Sequence, residues 1–308
     1  MKPEEKKEEF LANPNLFIEK AIKEFVASSS LNKLSSFNGA TIFNQPLVAF
    51  SDGDDPIYQD YKRIIGDFHL TPREVLDTLD GKGSQGKTVK PARVSVVSWV
   101  LPATYETRIT VRKETVVTTL RWNHSRWQGQ DFTEAMARHL ISLLEGLGYR
   151  AVAPAIAEFF TTIEMPDGMS SNWSERHAAY AAGLGTFSLN DAFITPLGIA
   201  IRCGSLISDA PFTPSPRTCE NHLSNCTFYR DKSCVRCIER CPVGAVTEAG
   251  HDKKKCREFL ITGQKEIMKI LGKYDGFLGR YMGCGLCQTK VPCEDRIPPP
   301  SLRPGPPA

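Results

Sequence analysis

The chain has 308 residues, 41% hydrophobic and 24% charged, which is ordinary globular usage with room for about two domains and a sizeable core. Its 38 basic and 35 acidic residues leave a net charge of +3, too mild to mark a nucleic-acid binder. No apolar run approaches the ~18 residues of a membrane helix, and MKPEEKKEEF carries neither a signal core nor a twin-arginine pair, so a cytoplasmic location is expected.

Asn13 and Pro14 read as the cap and first residue of a helix to about Ala27, with Ile18, Ala21, Ile22 and Phe25 on its apolar face. TIFNQPLVAF reads as strand, ended by a turn over 51–56; IYQDYKRIIG and PREVLDTL read as short helices. Gly81 to Thr88 spells G-x-x-x-x-G-K-T, but a phosphate loop needs a strand before it and a helix after it. Here a helical segment precedes, and Pro91 and a strand follow, so a polar loop is the better reading. VSVVSWVL (94–101) is a buried strand, and TRITVRKETVVTTL predicts one or two further β segments.

Phe132 to Leu147 is the clearest helix, striped by Met136, Leu140, Leu143, Leu144 and Leu147 and ended by Gly148. His139 on it reads as a packed or surface residue. Trp122 and Trp127 flank His124 in an expected loop. YRAVAP returns as strand, Ser174 to Ala182 as helix, and FITPLGIAIRCGSLIS as two short strands around a turn. From residue 212 the composition shifts to cysteine, lysine and short irregular pieces, and PPPSLRPGPPA closes the chain as an extended tail.

All ten cysteines lie between Cys203 and Cys293. A secreted disulfide scaffold would spread them throughout, so reduced thiols holding a metal or cluster are expected. Cys234-x2-Cys237-x3-Cys241-Pro242 matches most of C-x2-C-x2-C-x3-C-P, whose fourth cysteine serves the other cluster of a two-cluster ferredoxin. The first position is Asp231, so Cys226 is the natural replacement if TFYRDKS loops outward, with Cys219 the fallback. Cys256, Cys284, Cys287 and Cys293 bring the ligands to eight. The crossed pattern gives Cys226, Cys234, Cys237 and Cys293 to one [4Fe–4S] cluster, and Cys241, Cys256, Cys284 and Cys287 to the other. Zinc on two C-x-x-C pairs leaves the third cysteine and its proline unexplained. Cys203 reads as a small buried thiol. Lys253, Lys254 and Lys255 either dock an acidic electron donor or form a solvated turn.

Glu175-Arg176, Ala182-Gly183-Leu184-Gly185, Asn190, Ile194-Thr195-Pro196 and Gly204 to Asp209 resemble the epoxyqueuosine reductases in element and order. The cysteine module follows at matching distance, with Cys256 and Gly283-Cys284-x-x-Cys287-Gln288. The resemblance covers roughly residues 90–297; reductive dehalogenases are similar at greater distance. It implies an α+β architecture: a nitroreductase-like domain over 1–211, a ferredoxin-like module with two [4Fe–4S] clusters over 212–297, and a tail over 298–308. It also implies a base-off cobalamin beside the inner cluster, and the lack of Asp-x-His-x-x-Gly is compatible with that. By matching positions, Phe193, Arg202, Gly204, Arg257 and Gly285 would surround the corrinoid.

Two departures matter. The family places an acidic proton donor six residues before the Glu of Glu-Arg, where this chain has Met169. Asp167 is the candidate replacement, provided that burial raises its pKa; Tyr180 and His177 are alternatives. No helical-repeat region follows Cys293, so a small-molecule substrate is expected over tRNA. Trp173, Trp122 and Trp127 either wall a pocket for a flat substrate or serve ordinary packing. The expected protein is a cobalamin-dependent iron–sulfur reductase fed by a low-potential ferredoxin or flavodoxin, performing a reductive cleavage or deoxygenation. The alternatives are a non-catalytic electron-transfer protein and, third, a zinc-binding interaction module.

Overall fold

The computed structural model describes residues 3–79 and 91–299; the phosphate-loop pattern at 81–88 and most of the proline-rich tail lie outside them. Two helices open the chain, α1 (Pro3–Ala12) and α2 (Pro14–Ser28), and the Asn13 side chain caps α2 by accepting from Leu16 N at 3.0 Å. A short hairpin, β1 (Lys33–Leu34) and β2 (Ala40–Thr41), leads to β3 (Leu47–Asp52), α3 (Ile57–Ile65) and α4 (Pro72–Asp77). Thr71 and Glu74 form a reciprocal capping box at the start of α4. Then come β4 (Ser95–Pro102), α5 (Tyr105–Arg112), the long α6 (Leu120–Gly146), β5 (Ala151–Val152), and the hairpin of β6 (Thr162–Met165) and β7 (Gly168–Ser171). Helix α7 (Glu175–Ala181), the pair β8 (Thr186–Phe187) and β9 (Phe193–Ile194), and β10 (Ile201–Ser208) complete the larger part.

Strands β3, β4, β10 and β5 form one antiparallel sheet in that order, with β4 paired to β10 along its whole length from Ser95↔Ser208 to Pro102↔Ile201. Every residue of β4 is buried, which explains its unbroken apolar run. The alternation of a strand then divides its side chains between two cores. Val97, Trp99 and Leu101 meet Ile18, Ile22 and Val26 of α2 and Phe132, Met136 and Leu140 of α6. Val94 and Val96 turn the other way, toward Tyr58, Tyr61, Val75, Trp173 and Ala178. Helices therefore cover both faces. Each fully buried Val, Leu, Ile or Phe contributes roughly 1.5–3 kcal/mol.

Beyond the sheet the chain is built of short pieces: α8 (Thr227–Asp231), α9 (Arg236–Glu239), the hairpin β11 (Val246–Thr247) and β12 (Gly250–His251), α10 (Lys253–Glu258) and α11 (Gln264–Ile270). Their core is small and includes the cysteines themselves, with Cys226, Phe228, Val246 and Val291 against Leu189, Ile194 and Ile199.

Two expectations are corrected. The segment expected as β structure after residue 106 is α5, an irregular turn and the start of α6. Its threonines and valines suit a strand, but both edges of β4 are already taken by β3 and β10. With both sides of the preceding strand occupied, Thr107 and Val111 bury at helical spacing and Thr119 caps α6 by accepting from Trp122 N at 3.3 Å. Helix α6 begins at Leu120, not Phe132, so Trp122, His124 and Trp127 are helical and not in a loop. Gly129 interrupts the pattern yet fits, because the Phe43 ring occupies the space its Cβ would take, 2.7 Å away. His139 stacks on Phe25 at 5.0 Å, as packing.

Candidate functional site

Eight cysteines fall into two neighbourhoods. Cys226, Cys234, Cys237 and Cys293 line one small cavity. Cys226 caps α8, and that helix is the outward loop that spaces it from Cys234. Burial raises the Cys293 thiol, with Cys226, Cys237 and Cys234 adding to it as like-charged neighbours. The other neighbourhood joins Cys284 and Cys287 to Cys256 and Cys241; burial raises Cys284, and raises Cys287 to about 12. Cys237 is likewise raised to about 12 by burial and feels Cys287, so the two groups adjoin. Cys219 lies apart, beside Ser224 and Arg217. Zinc requires ligands ~2.0–2.3 Å from one ion; among the described residues no three His, Cys, Asp or Glu side chains are grouped to hold a single ion.

A backbone donor, an asparagine side chain and the half-buried Arg240 fix these loops. Ala245 N donates to Cys241 Sγ at 3.1 Å, and Asn190 Nδ2 to the Cys287 carbonyl at 2.9 Å. Arg240 ties Leu286 O and Thr289 O to Glu114 O and Val111 O. Burial opposes the charge on His251, but Asp191 at 3.1 Å and Cys256 outweigh it and raise the imidazole to about 9.

A second, open cavity of about 600 Å³ lies between the sheet and the cysteine loops. Phe193, Arg202, Cys284 and Gly285 line it, together with Glu175 and Trp122. Gly285 has φ +74° and the Trp122 indole lies 2.3 Å from where its Cβ would be, so only glycine lets this loop pass the ring. The first half of α6 grips the chain leading into it. Asn123, fully buried, donates to Leu278 O and Met282 O and accepts from Leu278 N; His124 meets Gly276 O; Trp127 Nε1 donates to Tyr281 O. Arg202 donates to Gln130 Oε1 at 2.9 Å and to Arg126 O at 2.8 Å, and burial lowers it to about 10. It stays charged.

Other candidates fall elsewhere. Arg257 is exposed on α10 and Gly204 lies under the Trp99 indole, where a Cβ would sit 2.5 Å from the ring; neither lines the cavity. Asp167 occupies the tip of the β6–β7 hairpin with its side chain 72% exposed, 3.2 Å from Lys253 Nζ. That hydrogen bond holds its carboxyl below the usual range, the reverse of the raised acid expected, because the two-residue Pro166-Asp167 tip between Met165 and Gly168 projects into water. Trp173 is packing: it stacks on His69 and Tyr58 and donates Nε1 to Ser205 Oγ at 3.0 Å. Burial lowers His177 to about 3, and it bonds Ser174 Oγ at 2.7 Å. Neither His177 nor Tyr180 lines the cavity.

The residue missed is Glu175. The sequence shows it only as one letter of Glu-Arg, yet both carboxyl oxygens are sealed from solvent with no hydrogen-bond partner. Burial raises it to about 7, with Ser205 and Trp173 opposing only in part. The one available signal was its place at the start of a helix rich in alanine, AAYAAG, which can only pack closely.

The described residues share their fold with a catabolic reductive dehalogenase, NpRdhA, solved with 3-bromo-4-hydroxybenzoic acid: TM-score 0.50 and 16% identity over 92% of this chain and 37% of that one. No protein-family model matches. An epoxyqueuosine reductase of Bacillus cereus is 34% identical over 122 residues, 39% of this chain and 29% of the relative. An uncharacterised protein of Geobacillus stearothermophilus is 32% identical over 97 residues, 31% of this chain and 39% of that one. The chain thus spans less than a third of the reductase it matches. Over that stretch it is similar to the epoxyqueuosine reductase.

Proposed function

We propose that the protein is a reductase that carries electrons through two [4Fe–4S] clusters to a cobalamin in the large cavity and there cleaves or deoxygenates a small-molecule substrate. The observation that carries this reading is the adjacency of two cysteine quartets, the second of which puts Cys284 on the wall of that cavity. Two thiols of each quartet, Cys237 and Cys293 in one and Cys284 and Cys287 in the other, are raised by burial and would carry thiolate charge only beside a compensating cation, and an iron–sulfur cluster suits the number and spacing of the quartets. Cys226, Cys234, Cys237 and Cys293 would hold the outer cluster; Cys241, Cys256, Cys284 and Cys287 would hold the inner one. In this reading residues 1–211 form the nitroreductase-like part and 212–297 the ferredoxin-like part.

Cobalamin would supply the low-potential carbon- or oxygen-directed chemistry that no side chain provides. The chain's own residues do the rest. Phe193 and Trp122 offer flat apolar walls, Gly285 lets the backbone come close, and Arg202 and Arg126 hold positive charge against a polar edge. The size of the cavity favours an enzyme over a simple electron carrier. A ferredoxin- or flavodoxin-type donor would supply the electrons.

Anaerobic purification with an iron count, followed by EPR after adding cob(II)alamin, tests the reading. About eight irons per chain and a base-off cobalt signal are expected. A colourless zinc protein, or an unchanged free-cobalamin spectrum, overturns it.

A further inference from the structure

The large cavity needs a source of protons as well as electrons, and its walls offer one unexplained group. Among the described lining residues that carry a carboxylate or thiol, Glu175 stands alone in having two buried oxygens without a well-formed hydrogen bond, Ser205 and Trp173 being the nearest donors. Its surroundings are set by several elements. Arg176 follows it on α7 and donates to the Asp191 carbonyl. Cys203 and Ser205 face it from β10, and Tyr58 from α3; Trp173 commits its Nε1 to Ser205. Arg126 and Arg202 stand across the cavity. A carboxylate so poorly supplied with donors in such a buried place is costly, whereas a neutral carboxylic acid is much less so.

We infer that Glu175 is the proton donor of this cavity, holding a proton at neutral pH and giving it to the substrate atom that receives the electron pair. The inference rests on the reductase reading above. For a cleaved bond the balance is R–X + 2 e⁻ + H⁺ → R–H + X⁻. The two electrons come singly from the reduced ferredoxin- or flavodoxin-type donor, and the R–X bond breaks with its leaving group departing as the anion. The Glu175 O–H bond breaks as the C–H bond forms, and the carboxylate regains its proton from solvent when the cavity opens. The hairpin carboxyl at Asp167 cannot do this, since it is ionised, exposed and outside the cavity.

Infrared difference spectroscopy on anaerobic protein, titrated from pH 5 to 9 with and without cob(II)alamin, tests the assignment in wild type, Glu175→Gln and Glu175→Asp. The expected result is one protonated carboxyl band with a midpoint near pH 7, absent in Glu175→Gln and displaced by cob(II)alamin, because the loaded cavity changes what the acid sees. Glu175→Asp should retain a band with a shifted midpoint. A wild-type spectrum with no protonated carboxyl above pH 6, or a titrating band that survives in Glu175→Gln, overturns the proposal; so does a band indifferent to cob(II)alamin that EPR shows to be bound. EPR that shows no bound cob(II)alamin sinks the reductase reading instead, and the titration alone then decides whether Glu175 holds the proton.

Discussion

Asn123 tests whether α6 positions the loop that carries Cys284. Its side chain accepts from Leu278 N at 2.7 Å and donates to Leu278 O and Met282 O at 3.1 Å each, from a fully buried site. Replacing it by alanine strips three backbone groups of their partner at once. At about 1 kcal/mol per net hydrogen bond the loss is about 3 kcal/mol, less up to ~0.7 kcal/mol because alanine is the better helix former. A net loss of about 2–3 kcal/mol is expected, nearly a hundredfold in the unfolding equilibrium. Urea unfolding of anaerobic protein measures it, and hydrogen exchange at the Leu278 amide should rise well beyond that of the sheet. Arg138→Ala, which removes only an exposed pair with Glu134 on the same helix, should cost under about 0.5 kcal/mol. A loss in Asn123→Ala no larger than in Arg138→Ala would refute the clamp.

Three further outcomes are expected. Arg108, buried against Glu294 at 3.0 Å and Asp295 at 3.4 Å, should cost about 2 kcal/mol as Arg108→Ala, because buried Glu294 loses one charged partner and keeps the other, Arg112 at 2.9 Å; a thermal shift within error of wild type would contradict this. Glu175 has a folded pKa raised from 4.5 to about 7. The stability it contributes is therefore full below about pH 4.5 and lost as pH rises through about 7. Glu175→Gln should remove that decline, worth about 3 kcal/mol at ~1.4 kcal/mol per pH unit, so parallel wild-type and variant curves between pH 5 and 8 would contradict it. Finally, Cys234→Ser should lower bound iron by about half, whereas Cys219→Ser should leave it unchanged; equal losses would break the grouping into two quartets.

What could be read from the sequence followed from local rules. The Asn13 cap, the buried run of β4 and the leucine stripe of α6 are each written within a few residues, and the structure realises them. Cysteine spacing is equally local, and it even anticipates the excursion of α8 between Cys226 and Cys234. The errors lie where a distant partner decides. The valines and threonines after residue 106 satisfy a strand by composition, and only the occupied edges of β4 turn them into helix. The first half of α6 carries Asn, His, Arg and Trp on a face that reads as loop, because their partners at 276–282 lie some 150 residues away.

The two acids make the same point about the site. An acidic residue in the first turn of a helix normally complements the helix dipole from the solvent side, so Glu175 looks unremarkable beside its Arg176. Asp167 looks more promising, because it stands two residues from the position at which the sequence resemblance implies an acid. Packing reverses the two. The alanines of α7 allow it to lie close on β10 and β4, with Ala178, Ala179 and Ala181 buried, and this carries Glu175 into the wall of the cavity with its carboxyl oxygens shielded from water. The hairpin, with only its own short pairing, leaves Asp167 in water beside Lys253. Burial of a single carboxyl is a property of how two elements meet. The alanine run supplies the means of that meeting, and the choice of which acid it buries appears only once α7 is laid on the sheet.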